Sequence, residues 1–261
     1  MSYQTLTPYV NEQDKLDRFV NGFATQSFRD QADRDYIAAR LACRYELFPQ
    51  FLWSSQQALE KYLKAILLYN RIDAKKVKHD INKVMQLTKK LSFEIDLSER
   101  SQKFIKLISD YGEYRYIEVP FSLYGYILVD LDLTIWELRW YCQVLDVFGK
   151  ELPPYEYELL QESHRGIDKS RNEPRYKFRL HGGLLEAILD NRKHPSRPAL
   201  LWNNPCFGNR NRPFVKAKWH LNAINPLLTI YPRMLDELLK FVYLPERLAD
   251  AYRAHAAKAD S

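Results

Sequence analysis

The sequence predicts a mainly α-helical first half followed by a smaller, basic α+β region, and three observations carry that reading. Apolar residues recur three or four positions apart through residues 29–148, the period that lines up side chains on one face of a helix. A stretch with Gly149, Pro153 and Pro154 then interrupts the pattern. Beyond it, short segments alternate apolar and basic residues, as half-buried strands do. The organisation expected is a helical bundle over residues 27–148, a linker over 149–172 and a basic α+β domain over 173–253.

Taken in order, Ala32, Tyr36, Ala39, Cys43 and Leu47 share one side of a helix over 29–47 that Pro49 closes. Leu52, Ser55, Leu59, Tyr62 and Ile66 form the face of a second over 50–69. Lys61 and Lys64 flank that face, and Glu60 stands four residues before Lys64 as a surface or interface charge. Asp80 caps a third helix with Ile81, Val84, Leu87 and Leu91 inward, and His79 reads as a loop residue beside the cap. Ser98 caps a fourth, carrying Phe104, Leu107, Ile108 and Tyr111. The longest seam, Tyr124, Leu128, Leu131, Ile135, Leu138, Cys142 and Leu145, predicts a helix over 121–148 with Pro120 suited to its first turn. Core packing is the default for such a seam, and Trp136 and Trp140, one turn apart, offer its extension into an interface.

The residues on these helices narrow the choice. The stretch Asp33-Arg34-Asp35-Tyr36-Ile37-Ala38-Ala39-Arg40, then Ser55-Gln56-Gln57-Ala58-Leu59-Glu60-Lys61-Tyr62-Leu63-Lys64-Ala65-Ile66-Leu67, then His79-Asp80-Ile81, resembles the HEPN family. Tyr111-Gly112-Glu113-Tyr114-Arg115-Tyr116 is similar to the element that precedes the last helix in that family. The resemblance implies an antiparallel HEPN-like bundle linked to nucleotide or RNA chemistry, often a homodimer. In prokaryotes it implies pairing with a small nucleotidyltransferase, or a toxin–antitoxin or defence setting. It also implies a cleft at Tyr111, Arg115 and Tyr116.

Many members are ribonucleases that use an Arg, four to six intervening residues and then a His near the start of the last helix. His moves a proton near neutral pH and Arg steadies the phosphate. Here Pro120, Phe121 and Ser122 occupy the permitted His positions after Arg115, and no His falls between His79 and His164. The spacing recurs at Arg175 and His181, outside the bundle, where chance alone supplies such a match. No catalytic residue is assigned.

Charge is unevenly placed. The net charge of +6 divides into +1 over residues 1–150 and +5 over the rest. Residues 164–218 hold 13 basic and 4 acidic side chains, a block that either solvates a surface or attracts a polyanion. Within it, Tyr176, Phe178 and Leu180 alternate with Arg175, Lys177, Arg179 and His181, predicting a strand with one basic face. Val215, Ala217, Trp219 and Leu221 alternate in the same way with Lys216, Lys218 and His220. Between them the sequence predicts a short helix over 184–191, a strand over 199–202, and a loop in which Arg210 and Arg212 join several Asn as donors. Basic side chains interleaved with Tyr176, Phe178, Phe207 and Trp219 suit single-stranded RNA, although strict alternation sends those aromatics to the opposite face. Leu235, Leu238, Leu239 and Val242 predict a helix after Pro232, Pro245 starts a last one through Tyr252, and a frayed tail follows.

The three cysteines, Cys43, Cys142 and Cys206, lack metal-ligand spacing, so neither a metal nor a disulfide framework is expected, and no cofactor. No signal peptide or membrane-length apolar run stands out, giving a cytoplasmic expectation without a membrane partner. Phosphate-loop, dinucleotide-fingerprint, zinc-helix and nucleophile-elbow motifs are absent. The reading is a non-catalytic HEPN-type protein, dimeric through its bundle, that binds RNA or another nucleic acid through its basic region. The contacts are assigned to Arg175, Lys177, Arg179, His181, Arg210, Arg212, Lys216, Lys218 and His220. Two alternatives stay open: a divergent, metal-independent ribonuclease and a nucleotidyltransferase-binding module.

Overall fold

The computed structural model describes residues 12–77, 79–111, 121–146, 154–208, 218–223 and 227–259. Helix α1 (Glu12–Phe23) runs through a π-helical segment (Ala24–Arg29) into α2 (Asp30–Arg44). A tight corner at 45–47, with Glu46 at φ 59°, turns the chain into α3 (Phe48–Tyr69). Then come α4 (Ile81–Thr88), α5 (Glu99–Tyr111), strand β1 (Phe121–Gly125) and α6 (Ile127–Arg139). The second half holds α7 (Pro154–Ser170), α8 (Leu184–Asp190), α9 (Arg197–Leu201) and β2 (Trp219–Ala223). Helices α10 (Leu227–Ile230), α11 (Leu235–Leu238) and α12 (Glu246–Ala259) complete it. The architecture is mainly helical, and no helix among the described residues is long and apolar enough to cross a membrane.

The four helices expected between residues 29 and 111 appear as α2 to α5, although Leu47, expected on the inward face of the first, lies beyond its end and is exposed; α1 was not expected. The Asp80 carboxylate accepts the Lys83 N–H at 3.1 Å, and the Ser98 hydroxyl accepts that of Ser101 at 3.3 Å, each satisfying a first-turn donor that the helix leaves unpaired. Pro49, expected to close one helix, instead lies in the first turn of the next, where its missing N–H is harmless.

Other expectations are corrected. The long helix over 121–148 is a strand followed by a shorter helix. Gly125, at φ 120°, breaks the rod, and Tyr124, which completed the heptad-like seam, is 71% exposed. Residues 175–181 do not form a paired strand: a 3-10 turn at Arg175–Lys177 precedes an extended run in which Phe178 and Leu180 are buried and Arg179 is exposed. Tyr176, expected to face inward with them, is exposed. Residues 199–202 belong mostly to α9, with Pro198 in its first turn, rather than to a strand. The expected linker contains α7, a surface helix whose one buried residue is Ser170 and whose inner face, with Leu160, Ser163 and Ile167 three and four residues apart, is half-buried. After Pro232 the chain makes a 3-10 turn and a single α-turn, leaving Val242 exposed. The last helix runs to Ala259 where a frayed tail was expected.

The main core joins α2 to α6 with residues of the second half, among them Phe178, Leu180, Leu185, Ile188, Leu200 and Phe207. Trp136 and Trp140, whose rings meet edge to face at 4.6 Å, are covered by Phe178 at 6.3 and 6.2 Å, so the chain itself fills the place expected of an interface. Leu228, Leu235, Leu244, Leu248, Ala249 and Tyr252 form a separate cluster.

Three buried arginines of the helical half grip the distal segment. Arg29 donates to the Gly182 carbonyl at 2.8 Å. Arg40 ion-pairs with Asp132 and donates to the carbonyls of Ala199, at 3.0 Å, and Trp202. Arg139 makes two forked contacts, to Asp33 at 3.0 and 3.2 Å and to Glu186 at 2.9 and 2.8 Å. The Tyr62 hydroxyl adds a bond to Asp33, and Tyr36 donates to Asp132 at 2.6 Å. Burial works against the charge on Arg40 and Arg139, but the facing carboxylates outweigh it and raise both pKa values. Burial likewise works to raise Glu186, but Arg139 and the Leu180 N–H outweigh it and hold Glu186 below its ordinary value.

Gly183 makes room for this cluster. A Cβ there would stand 1.9 Å from Glu186 Oε2 and 3.1 Å from Arg139 Nη2, although its φ of −76° suits any residue. Gly183→Ala is therefore expected to lower stability by about 1–3 kcal/mol through steric overlap. Gly166→Ala, whose Cβ meets only Phe178 at 4.0 Å, should be neutral or stabilising; denaturant unfolding of the two variants checks both. A group whose folded pKa is depressed stabilises fully above its unfolded value, here about 4.5, and loses that contribution as pH falls through the folded value. Glu186→Gln should thus flatten the acid limb of the stability–pH curve and cost about 3–5 kcal/mol at neutral pH, since it breaks a buried ion pair. An unchanged acid limb would refute this role of Glu186.

Candidate nucleic-acid interface

Strands β1 and β2 form an antiparallel ribbon in which Tyr124 faces His220 and Gly125 faces Trp219. Alternation gives the ribbon two different sides. Trp219 turns inward against Phe48, with ring centres 6.2 Å apart, and Trp202, at 6.4 Å. Lys218 and His220 point outward and are exposed. Across the ribbon the Tyr124 ring meets His220 edge to face at 5.9 Å, the close pairing expected of directly opposed residues.

Gly125 lets the chain leave β1 and start α6 within two residues, which brings Tyr126 beside the ribbon. The Lys218 ammonium lies 5.9 Å from the Tyr124 ring centre and 5.6 Å from that of Tyr126. Arg100, from α5, lies 5.9 Å over the Tyr126 ring and ion-pairs with Asp130. Burial lifts the Asp130 carboxyl, and Arg100 offsets only part of that rise. Among the described residues Lys218 has no carboxylate partner, and the faces of the two rings hold its charge.

The other residues singled out from sequence are placed differently. Arg175 lies 5.7 Å over the Trp136 ring, and its carbonyl accepts the Trp136 indole N–H at 3.1 Å. Lys177 pairs with Glu173 at 3.5 Å and Arg179 with Asp190 at 2.5 Å. His181 lines a shallow cleft of about 450 Å³ with Arg179, Glu162, Glu186 and Asp190. Arg175 does not line it, so the cleft groups His181 with three carboxylates and with Arg179, not with its sequence-spaced arginine. Arg210, Arg212, Lys216, Arg115 and Tyr116 lie outside the described residues, as does the side chain of Tyr111, whose backbone ends α5.

Glu60, expected as a surface or interface charge, is buried, with Lys64 at 2.6 Å and His79 Nδ1 at 3.1 Å. Phe178 and Phe207, expected to interleave with the basic residues, are core. Sequence reasoning missed Tyr124, Tyr126 and Arg100. The signal was a short run of β-formers bounded by Pro120 and Gly125, masked by an unbroken helical period.

A family model described as HEPN domain matches residues 25–122. Comparisons with curated proteins and with solved structures returned no match.

Proposed function

We propose that this chain, whose N-terminal half carries a HEPN domain, is a non-catalytic protein that binds RNA or another nucleic acid through basic side chains of its second half. The domain points to nucleotide-related or ribonuclease-like function. The observation that carries the finer reading is the outward pair Lys218 and His220, set against the exposed Tyr124, with no carboxylate on Lys218 among the described residues. The lack of a His at the required spacing after Arg115 supports the non-catalytic part. Assembly through the bundle belongs to the same proposal, supported by the exposed Leu41, Tyr45 and Leu47 at the α2–α3 corner; a nucleotidyltransferase is the alternative partner for that surface.

Replacing Arg175, Lys177, Arg179, Lys216 and Lys218 together by Ala is expected to weaken RNA binding and flatten its dependence on salt, because each lost phosphate contact removes counterion release. Lys218→Ala should account for more of the loss than Lys177→Ala or Arg179→Ala, whose side chains already have carboxylate partners. Fluorescence anisotropy at several ionic strengths measures both effects, and full retention of affinity in the folded five-site variant would sink the proposal. RNA incubated with the protein should stay intact; cleavage abolished by His181→Ala or Arg115→Ala would overturn the non-catalytic part.

A further inference from the structure

We infer that the outer face of the β1–β2 ribbon seats an unpaired nucleotide, with phosphate at Lys218 and base on the Tyr124 ring; this rests on the nucleic-acid reading above and adds strand state to it. Three observations converge. Arg100, Lys177 and Arg179 each have a carboxylate partner, whereas Lys218 has two aromatic rings. Among the described residues no anion meets its charge, which is held in place and open to a phosphate.

Tyr124 is 71% exposed, yet its backbone is fixed by pairing with β2 and its ring by the edge-to-face contact with His220 at 81°. It is a pre-positioned aromatic surface with room on it, which a base can cover without first ordering a loop. The opposite side of the ribbon is anchored by Trp219 on Phe48 and Trp202.

The third observation is adjacency. One ammonium touches both Tyr124 and Tyr126, so a phosphate bound there places its own nucleotide beside a ring. In a duplex both faces of each internal base are occupied by stacked neighbours, so a ring cannot stack on them while the phosphates stay accessible. A paired strand could use Lys218 and not Tyr124.

Anisotropy of the full-length protein with a labelled single-stranded RNA oligonucleotide and with a duplex of the same sequence tests this. The single strand is expected to bind more tightly. Tyr124→Ala should weaken single-strand binding about tenfold, in the range of one lost base–aromatic stack, and leave duplex binding unchanged, while Tyr124→Phe keeps the wild-type preference. Lys218→Ala should weaken both and lower the single-strand salt slope by about 0.7, one phosphate contact. If single strand and duplex bind equally and Tyr124→Ala changes neither, the seat is refuted, and a continuing effect of Lys218→Ala would leave the broader nucleic-acid reading standing. Binding of neither RNA to the folded wild-type protein refutes both.

Discussion

The guanidinium of Arg139 is fully buried between Asp33 and Glu186, and much of the molecule is arranged around the need to pair it. A buried charge is tolerated only where partners replace its lost hydration. Those partners come from α2 and α8, far apart in sequence. Arg40 and Arg29 repeat the device with carbonyls from the distal segment. Apolar residues of similar volume can stabilise a core as well or better, so what the charges contribute here is placement. Arg40 holds the Trp202 carbonyl, the Trp202 ring packs on Trp219, and Trp219 sets which side of β2 faces outward. The orientation of Lys218 and His220 therefore traces back to an ion pair in the core.

The fold of the first half was legible because its helices bury one face each. Ala32, Tyr36, Ala39 and Cys43, and likewise Leu52, Ser55, Leu59, Tyr62 and Ile66, are buried as their spacing predicts. The caps at Asp80 and Ser98 are local chemistry, visible in a few residues. The failures share a different cause. Tyr124 fits a helical seam by spacing alone, and only a partner strand about a hundred residues later makes its segment a ribbon. Helix α7 turns only Leu159, Leu160 and Ile167 partly inward among its larger apolar side chains, too few for spacing alone to mark the helix. Glu60 looks like a surface charge until Lys64 and His79 are placed beside it.

The candidate interface was half legible. Alternation around Trp219 identified Lys218 and His220 as outward, and it sent the aromatics of the same strand to the other side. The geometry answers that difficulty with aromatics from elsewhere: Tyr124 across the ribbon and Tyr126 at the start of α6. No linear pattern within one strand could supply them. Equally, basic residues read as a single class separate once their neighbours are known, since Lys177 and Arg179 have carboxylates and Lys218 has rings.

The arginine clasp also bears on how the chain acquires its structure during synthesis. The segment matched as a HEPN domain ends at residue 122, before Asp132 and Arg139 have been made and well before Glu186, Ala199 and Trp202. While those are absent, Asp33 and Arg40 have lost the groups that neutralise them, and burying either is strongly unfavourable. The early helices can form as they emerge, but packing that buries Asp33 and Arg40 is favoured once the distal segment is present to pair with them. Residues 178–207, the last fully buried stretch of the main core to be translated, thus carry the groups that complete the pairing of the first helices.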